Sequence, residues 1–367
     1  MSDSRCGRIQ IDIQLFQEFK IFSPFVLRGS WIQDTFKPST DRFVDSKASS
    51  DGFAEVPEEF FLFQRLKMAI NWRGVFPAVT TKLQANGQLD VVAIKAGLER
   101  LIEGGVSGVV MMGMVGENAS LTHEEKVQVL QIAVETVAGR VPVISGVAET
   151  NTQSAIAFAR KAEEIGVQGL MVFPALTYKS DDRETVEFYK AVARSISIEI
   201  LLYNNPRGYG VDLTPDVLDQ LKDAKNITAI KEESYDTTRV TDIFIRFGDR
   251  FNVVCGVDNL ILESVALGAV AWVSGMANAV PRESVDLLNK AVAGDWEQAR
   301  KLYRILTPLY HLDVHVKLVQ YIKLSEHITA GYSEELKAPR LKLEGAEREK
   351  VISITNKTVE DLKKFYS

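Results

Sequence analysis

Cysteine is nearly absent. Cys6 and Cys255 are the only two, far apart and without a CxxC partner, so the sequence supports neither a disulfide framework nor a thiol-metal site. A reducing, cytoplasmic setting is the default expectation. Long apolar runs are absent as well, and nothing approaches the roughly 18 residues of a membrane-crossing helix. No basic segment leads into an apolar one at the N-terminus, so no signal peptide is expected. Basic charge is not in excess either. Lys and Arg number 43 against 49 Asp and Glu, for a net charge of −6. No Arg/Lys cluster is interleaved with aromatics, and a phosphate-backbone binder would show a basic face.

What the chain does have is core-forming bulk. Its 367 residues are 46% hydrophobic, enough for two domains or one large barrel with additions. Residues 1–67 stand apart as an irregular, Phe-dense extension without sustained periodicity. Three readings of it are open: a poorly ordered arm, an arm packed on a neighbouring subunit, or upstream sequence read through before a start at Met68.

From Gly74 onward, short apolar runs alternate with amphipathic segments of helical length. Val75–Val79, Val109–Met112, Val141–Gly146, Gly169–Phe173, Ile198–Tyr203, Ile227–Lys231, Phe251–Cys255 and Val270–Val273 read as strands. Each is followed by a helical pattern. One of these opens on Thr122-His-Glu-Glu125, a capping box, where His123 reads as a solvated helix-start residue. Continuously apolar strands suit a fully buried parallel sheet. Eight such units over 68–294 predict an α/β chain folded as a (β/α)8 TIM barrel, with a doubly wound open sheet as the competing arrangement. Residues 295–367 read as additional C-terminal helices, over 296–328 and 334–365. The one-sided stripe of Leu302, Ile305, Leu306, Leu309, Leu312 and Val316 is expected to pack on the barrel or on a partner.

Reactive groups of such barrels lie at the C-terminal ends of the strands. Those ends carry Gly113-Met-Val-Gly-Glu117, Tyr203-Asn-Asn-Pro206, Lys231-Glu232 and Gly256-Val-Asp258. A strand-end lysine usually reaches into water. Where an apolar core meets a polar mouth, however, desolvation lowers its pKa and frees the amine to attack a carbonyl. A phenol on the adjacent strand can move protons. A loop bracketed by glycines can turn backbone N–H groups toward a carboxylate. Together they point to Lys231 as an imine-forming amine for a 2-oxo acid and to Tyr203 as its proton shuttle.

Substrate contacts are expected from Gly113, Met114, Val115, Gly116, Glu117, Tyr178, Arg207 and Val273, with Tyr209 beside Arg207 at the mouth. Glu117 either orients its loop by accepting backbone N–H bonds or forms a surface salt bridge. Asp258 and Asn278 read as polar groups near the mouth, and Cys255 as a small packing residue. His311 and His315, four apart on an expected helix with Asp313 between them, lack an evident third ligand, so no metal site is expected there.

These four motifs, in this order and spacing, resemble the dihydrodipicolinate synthase / N-acetylneuraminate lyase family over about residues 72–345. The resemblance implies a (β/α)8 barrel, usually a homodimer or homotetramer, that needs no metal or cofactor. It implies Lys231 as the Schiff-base lysine, Tyr203 as the proton-shuttling phenol, and the backbone of Met114 and Val115 as the carboxylate cradle. Three positions depart from the synthase pattern. Met114 and Val115 stand where synthases have two threonines, Leu176 stands at the second relay tyrosine with Tyr178 two residues on, and Gly208 stands at the arginine that binds the second substrate.

The expected activity is therefore a Schiff-base lyase or aldolase acting on a pyruvate-type 2-oxo acid. Alternatives are a deaminase or dehydratase of a hydroxylated 2-oxo or pyrroline carboxylate, or a 4-hydroxy-tetrahydrodipicolinate synthase proper. A non-catalytic barrel that binds a small acid is the competing class. Neither a nucleic acid nor a membrane is an expected partner.

Overall fold

The computed structural model describes residues 69–367; the 1–67 extension and Cys6 lie outside them. The continuously apolar runs form eight strands: β1 Gly74–Pro77, β2 Val109–Met111, β3 Val143–Val147, β4 Gly169–Val172, β5 Glu199–Asn204, β6 Ile227–Glu232, β7 Asn252–Cys255 and β8 Ala271–Ser274. All paired neighbours are parallel, in the order β1-β8-β7-β6-β5-β4-β3-β2. Ala78 bridges to Val110, and the Val79 N–H donates to the Val110 carbonyl at 2.9 Å. These contacts close β1 onto β2, so the sheet is a TIM barrel rather than an open doubly wound sheet.

Eight helices follow the strands in turn: α1 Val91–Glu103, α2 His123–Val137, α3 Thr152–Ile165, α4 Asp182–Ser195, α5 Pro215–Leu221, α6 Thr238–Phe247, α7 Ile261–Ala266 and α8 Pro281–Val292. Their starts are written in the sequence. Asp90, Asn151 and Thr214 each accept an N–H of the first turn, and the Thr122/Glu125 capping box forms as expected.

The strands bury both faces. Val110, Ile144, Met171, Leu201, Ala229 and Val254 belong to the core that fills the barrel, and Val109, Val143, Leu170, Leu202, Ile230 and Val253 to the core beneath the helices. Each of these Val, Ile, Leu and Met side chains contributes about 1.5–3 kcal/mol on burial. At the N-terminal ends of the strands, the Trp72 indole donates to Glu199 Oε2 at 2.9 Å, and the Ile70 N–H to Glu199 Oε1 at 2.8 Å. Residues 70–72 thus stopper the end opposite the reactive groups.

The C-terminal helices differ from the expected pattern. The segment read as 296–328 is two helices, α9 Trp296–Tyr310 and α10 Leu318–Ala330. Between them the chain turns to bury Leu312 and to set Asp313 against Gly275, where a Cβ would sit 2.3 Å from Asp313 Oδ1. The last helix, α11 Gly345–Tyr366, starts later than the expected 334. Ahead of it, the Glu335 carbonyl and the Lys337 N–H bond to Lys323 and Glu117, and Pro339 has no N–H to give. Leu302, Leu306, Leu309 and Leu312 share the core of Val254 and Trp272 with Ile305 against it, so this part of the stripe packs on the barrel, whereas Val316 falls in the turn after α9 and is exposed.

Candidate active site

Along β6 the side chains alternate, so Ala229, Lys231 and Glu233 share the inward face. Register places Tyr203 of β5 directly beside Lys231. The Lys231 Nζ lies 4.1 Å from the centre of the Tyr203 ring and 2.7 Å from Glu233 Oε2. That same oxygen accepts the Tyr203 hydroxyl at 2.8 Å. Asn205 Nδ2 donates to Glu233 Oε1 at 2.8 Å and lies 3.3 Å from the phenol oxygen. Amine, carboxylate and phenol thus form one hydrogen-bonded set at the C-terminal mouth, all nearly buried.

Aromatic rings wall this set. Phe173 and Tyr209 meet the Tyr203 ring edge-on at 4.7 and 5.6 Å. Tyr209 arrives on a single helical turn, Pro206–Tyr209, whose Gly208 N–H is capped by Asn205 Oδ1 at 2.8 Å. Gly256 lies against Lys231, and a Cβ there would be 2.8 Å from Lys231 Cε.

Lys231 does not titrate as desolvation alone predicts. Burial pushes its ammonium toward the neutral amine, but the Glu233 carboxylate, with Asp313 and Tyr209 behind it, outweighs burial and holds the group above its ordinary value. The Tyr203 phenol is pushed well up, first by burial and then by Glu233, and stays protonated.

After β2 the chain forms the Gly113–Glu117 loop, entered and left through left-handed backbone at Met112 and Glu117, with φ of 57° and 58°. The N–H groups of Met114 and Val115 donate to no acceptor among the described residues. Val115 packs in the same core as Phe173 and Tyr203. Gly146 of β3 lets this loop close in, since a Cβ there would stand 2.0 Å from the Met112 carbonyl oxygen.

Comparison with known proteins decides the family. The sequence profile of the "Dihydrodipicolinate synthetase family" matches residues 71–358. The chain belongs to that family. It is similar to the 4-hydroxy-tetrahydrodipicolinate synthase of Methanothrix thermoacetophila, 38% identical over 239 residues, 65% of this chain and 80% of that one. The synthase of Thermus thermophilus is 34% identical over 234 residues, 63% of this chain and 78% of its own. Among solved structures, the 4-hydroxy-tetrahydrodipicolinate synthase of Methylacidiphilum fumariolicum SolV superposes with a TM-score of 0.77 at 30% identity, covering 80% of this chain and 98% of that one. A prophage protein of the dihydrodipicolinic acid synthase family from E. coli K12, solved in complex with pyruvate, superposes with a TM-score of 0.75 at 27% identity, covering 79% and 99%. As a dihydrodipicolinate synthetase family member, the chain is a class I lyase of the lysine Schiff-base type.

Not every expected residue converges on this family site. Tyr178 is exposed, and its hydroxyl donates to Glu184 Oε1 at 2.8 Å, so Leu176 rather than Tyr178 packs toward the barrel core. Arg207 is exposed and stacks on Tyr235, 4.2 Å from the ring centre. Val273 is a core residue inside β8. Glu117 is no surface salt bridge: it is buried, paired with Lys323 Nζ at 2.5 Å, and accepts the Lys337 N–H at 2.8 Å. It orients the loop from behind.

Asp258 clamps Trp272, Ser274 and Met276, and Asn278 holds the carbonyls of Ala78 and Gly275. His311 and His315 lie beyond the end of α9, bonded to Asn259 and stacked on Tyr321, and no metal-holding cluster occurs among the described residues. Cys255 is buried and free. Three site groups escaped the sequence reading: Glu233, Asn205 and Asp313. Two-residue alternation from Lys231 would have found Glu233, whereas Asp313 depends on the helix break.

Proposed function

We propose that Lys231 forms an imine with the keto carbon of a pyruvate-type 2-oxo acid, while the free N–H groups of Met114 and Val115 hold the substrate carboxylate. The observation that carries this reading is the buried Lys231 amine beside the Tyr203 phenol at the mouth of a closed barrel. The protonated phenol relays a proton to the former keto oxygen as the carbinolamine forms, and loss of that oxygen as water gives the iminium. The resulting iminium draws electrons from the neighbouring carbon, so a C–C bond or a leaving group one carbon further on can break. Borohydride trapping with pyruvate should give a mass adduct on Lys231, absent from Lys231→Ala. No adduct with any 2-oxo acid would return the chain to a small-acid binder.

A second reading is favoured by the loop and by Gly208. With Met114, Val115 and Leu176 at the relay positions, no hydroxyl links Tyr203 to a second tyrosine. A side chain at Gly208 would begin 3.0 Å from the Asn205 amide, the group that holds Glu233 and Tyr203. Both features disfavour condensation with a second carboxylate substrate and suit elimination from a hydroxylated 2-oxo or pyrroline carboxylate. Turnover of 4-hydroxy-1-pyrroline-2-carboxylate against pyruvate plus aldehydes separates the two, and no turnover of the former removes the deaminase. The assembly we propose is a cytoplasmic homodimer or homotetramer, in line with the family habit, and sedimentation of the purified protein tests it.

A further inference from the structure

We propose that Glu233 is a catalytic acid–base residue, taking the proton that Lys231 must shed before it attacks and returning it to the oxygen that leaves. The proposal rests on the reading of Lys231 as the imine-forming amine. Its ground is geometric. One carboxylate oxygen lies 2.7 Å from the Lys231 Nζ and 2.8 Å from the Tyr203 hydroxyl, and the other oxygen is fixed by Asn205 at 2.8 Å. An ammonium has no lone pair and cannot attack a carbonyl, and this ammonium is held protonated by its surroundings. Its proton needs an acceptor already in contact. Asp313, Asp258 and Tyr209 also face Lys231, but no hydrogen bond joins any of them to its Nζ. The loop that lost its relay hydroxyls offers no substitute.

The proton count closes. Glu233 takes a proton from the ammonium, leaving a neutral amine and a neutral carboxyl. The nitrogen lone pair forms the C–N bond as the C=O pair moves to oxygen. The proton that nitrogen then sheds reaches that oxygen through Tyr203, giving the carbinolamine. Glu233 returns its own proton to the hydroxyl, the C–O bond breaks with loss of water, and the nitrogen lone pair completes the iminium. Ammonium plus ketone has become iminium plus water, and Glu233 ends as it began.

The test uses the full chain with pyruvate and borohydride, following the rate of adduct formation by intact mass. Wild type should label at Lys231. Glu233→Gln, which keeps the shape but cannot accept a proton, should label about 100-fold or more slowly. Glu233→Ala should be as slow and should recover at least about tenfold in formate or acetate, but not in chloride at equal ionic strength. Recovery by a small carboxylate is what a merely structural role would not produce. If wild type labels and both variants label at the same rate, Glu233 is no acid–base group and only this proposal falls. If wild type does not label at Lys231, the amine reading falls and takes the proposal with it.

Discussion

Gly256 has no Cβ, and the Lys231 side chain runs through the room this leaves. Adding a methyl would place it 2.8 Å from Lys231 Cε and 2.9 Å from Glu233 Cβ. The amine would have to swing away from Tyr203. Gly256→Ala should therefore cut the adduct rate by about 100-fold while leaving the urea midpoint nearly in place; an unchanged rate would show that the site absorbs the methyl.

Asp313 is the other residue set by a glycine. Burial, then repulsion from Asp258, raises its carboxyl well above the ordinary 3.8. Between that ordinary value and the raised one, the native chain keeps a proton that the unfolded chain has released. Stability attributable to Asp313 therefore falls as pH rises through the window and stays lower above it. Asp313→Asn removes the penalty. It should be more stable than wild type by on the order of 1–3 kcal/mol near neutral pH, with the gap closing toward pH ~4. Urea melts across this range read the gap directly, and a gap independent of pH contradicts it.

Legibility at this scale was uneven. Lys231 and Tyr203 were readable because strand ends are marked by the change from apolar to polar residues. Glu233 is legible only through two-residue alternation from Lys231, because the adjacent Glu232 is the same residue type but points the other way and accepts from Asn204 at 2.9 Å.

Among elements, α10 is bound to the loop after β2 by a buried charge pair. Lys323 meets Glu117 at 2.5 Å, and one turn later Glu326 meets Lys82 at 2.6 Å and Thr80 at 2.6 Å. Pairs of this kind add little net stability, but removing one partner strands a buried charge. Lys323→Met should cost about 3–5 kcal/mol and raise the KM for the 2-oxo acid several-fold with a smaller change in kcat. Adding Glu117→Gln should restore much of the stability. Equal losses in the single and double variants, by chemical denaturation, would rule out the stranded charge as the cause.

The strands and α1–α8 were readable because continuous apolar runs and capping residues are local signals. The break between α9 and α10 was not, since the contact that accompanies it, Asp313 against Gly275, is with a distant element. His311 and His315 both fall in this non-helical connection, so the helical spacing expected of them does not form.

At the scale of the molecule, the barrel divides labour between its ends. The C-terminal mouth holds Lys231, Tyr203 and Glu233, and the opposite end is closed by Trp72, Ile70 and Glu199. Trp72→Ala removes a fully buried indole and its bond to Glu199. It should destabilise the chain by about 3–5 kcal/mol while the adduct rate at low temperature stays within about twofold of wild type. A large loss of rate in a folded variant would mean that the two ends are coupled.

The Lys323–Glu117 pair spans 206 residues of sequence and the Lys337 bond to the same carboxylate spans 220. The order of synthesis follows from this. A ribosome releases β5 and β6, with Tyr203 and Lys231, long before it releases the segment that braces the loop after β2. The emerging barrel therefore holds its lysine and phenol in place with an unbraced loop, and competence should come last. Nascent chains halted after α8 should trap little 2-oxo acid, and chains released beyond residue 337 should trap it fully.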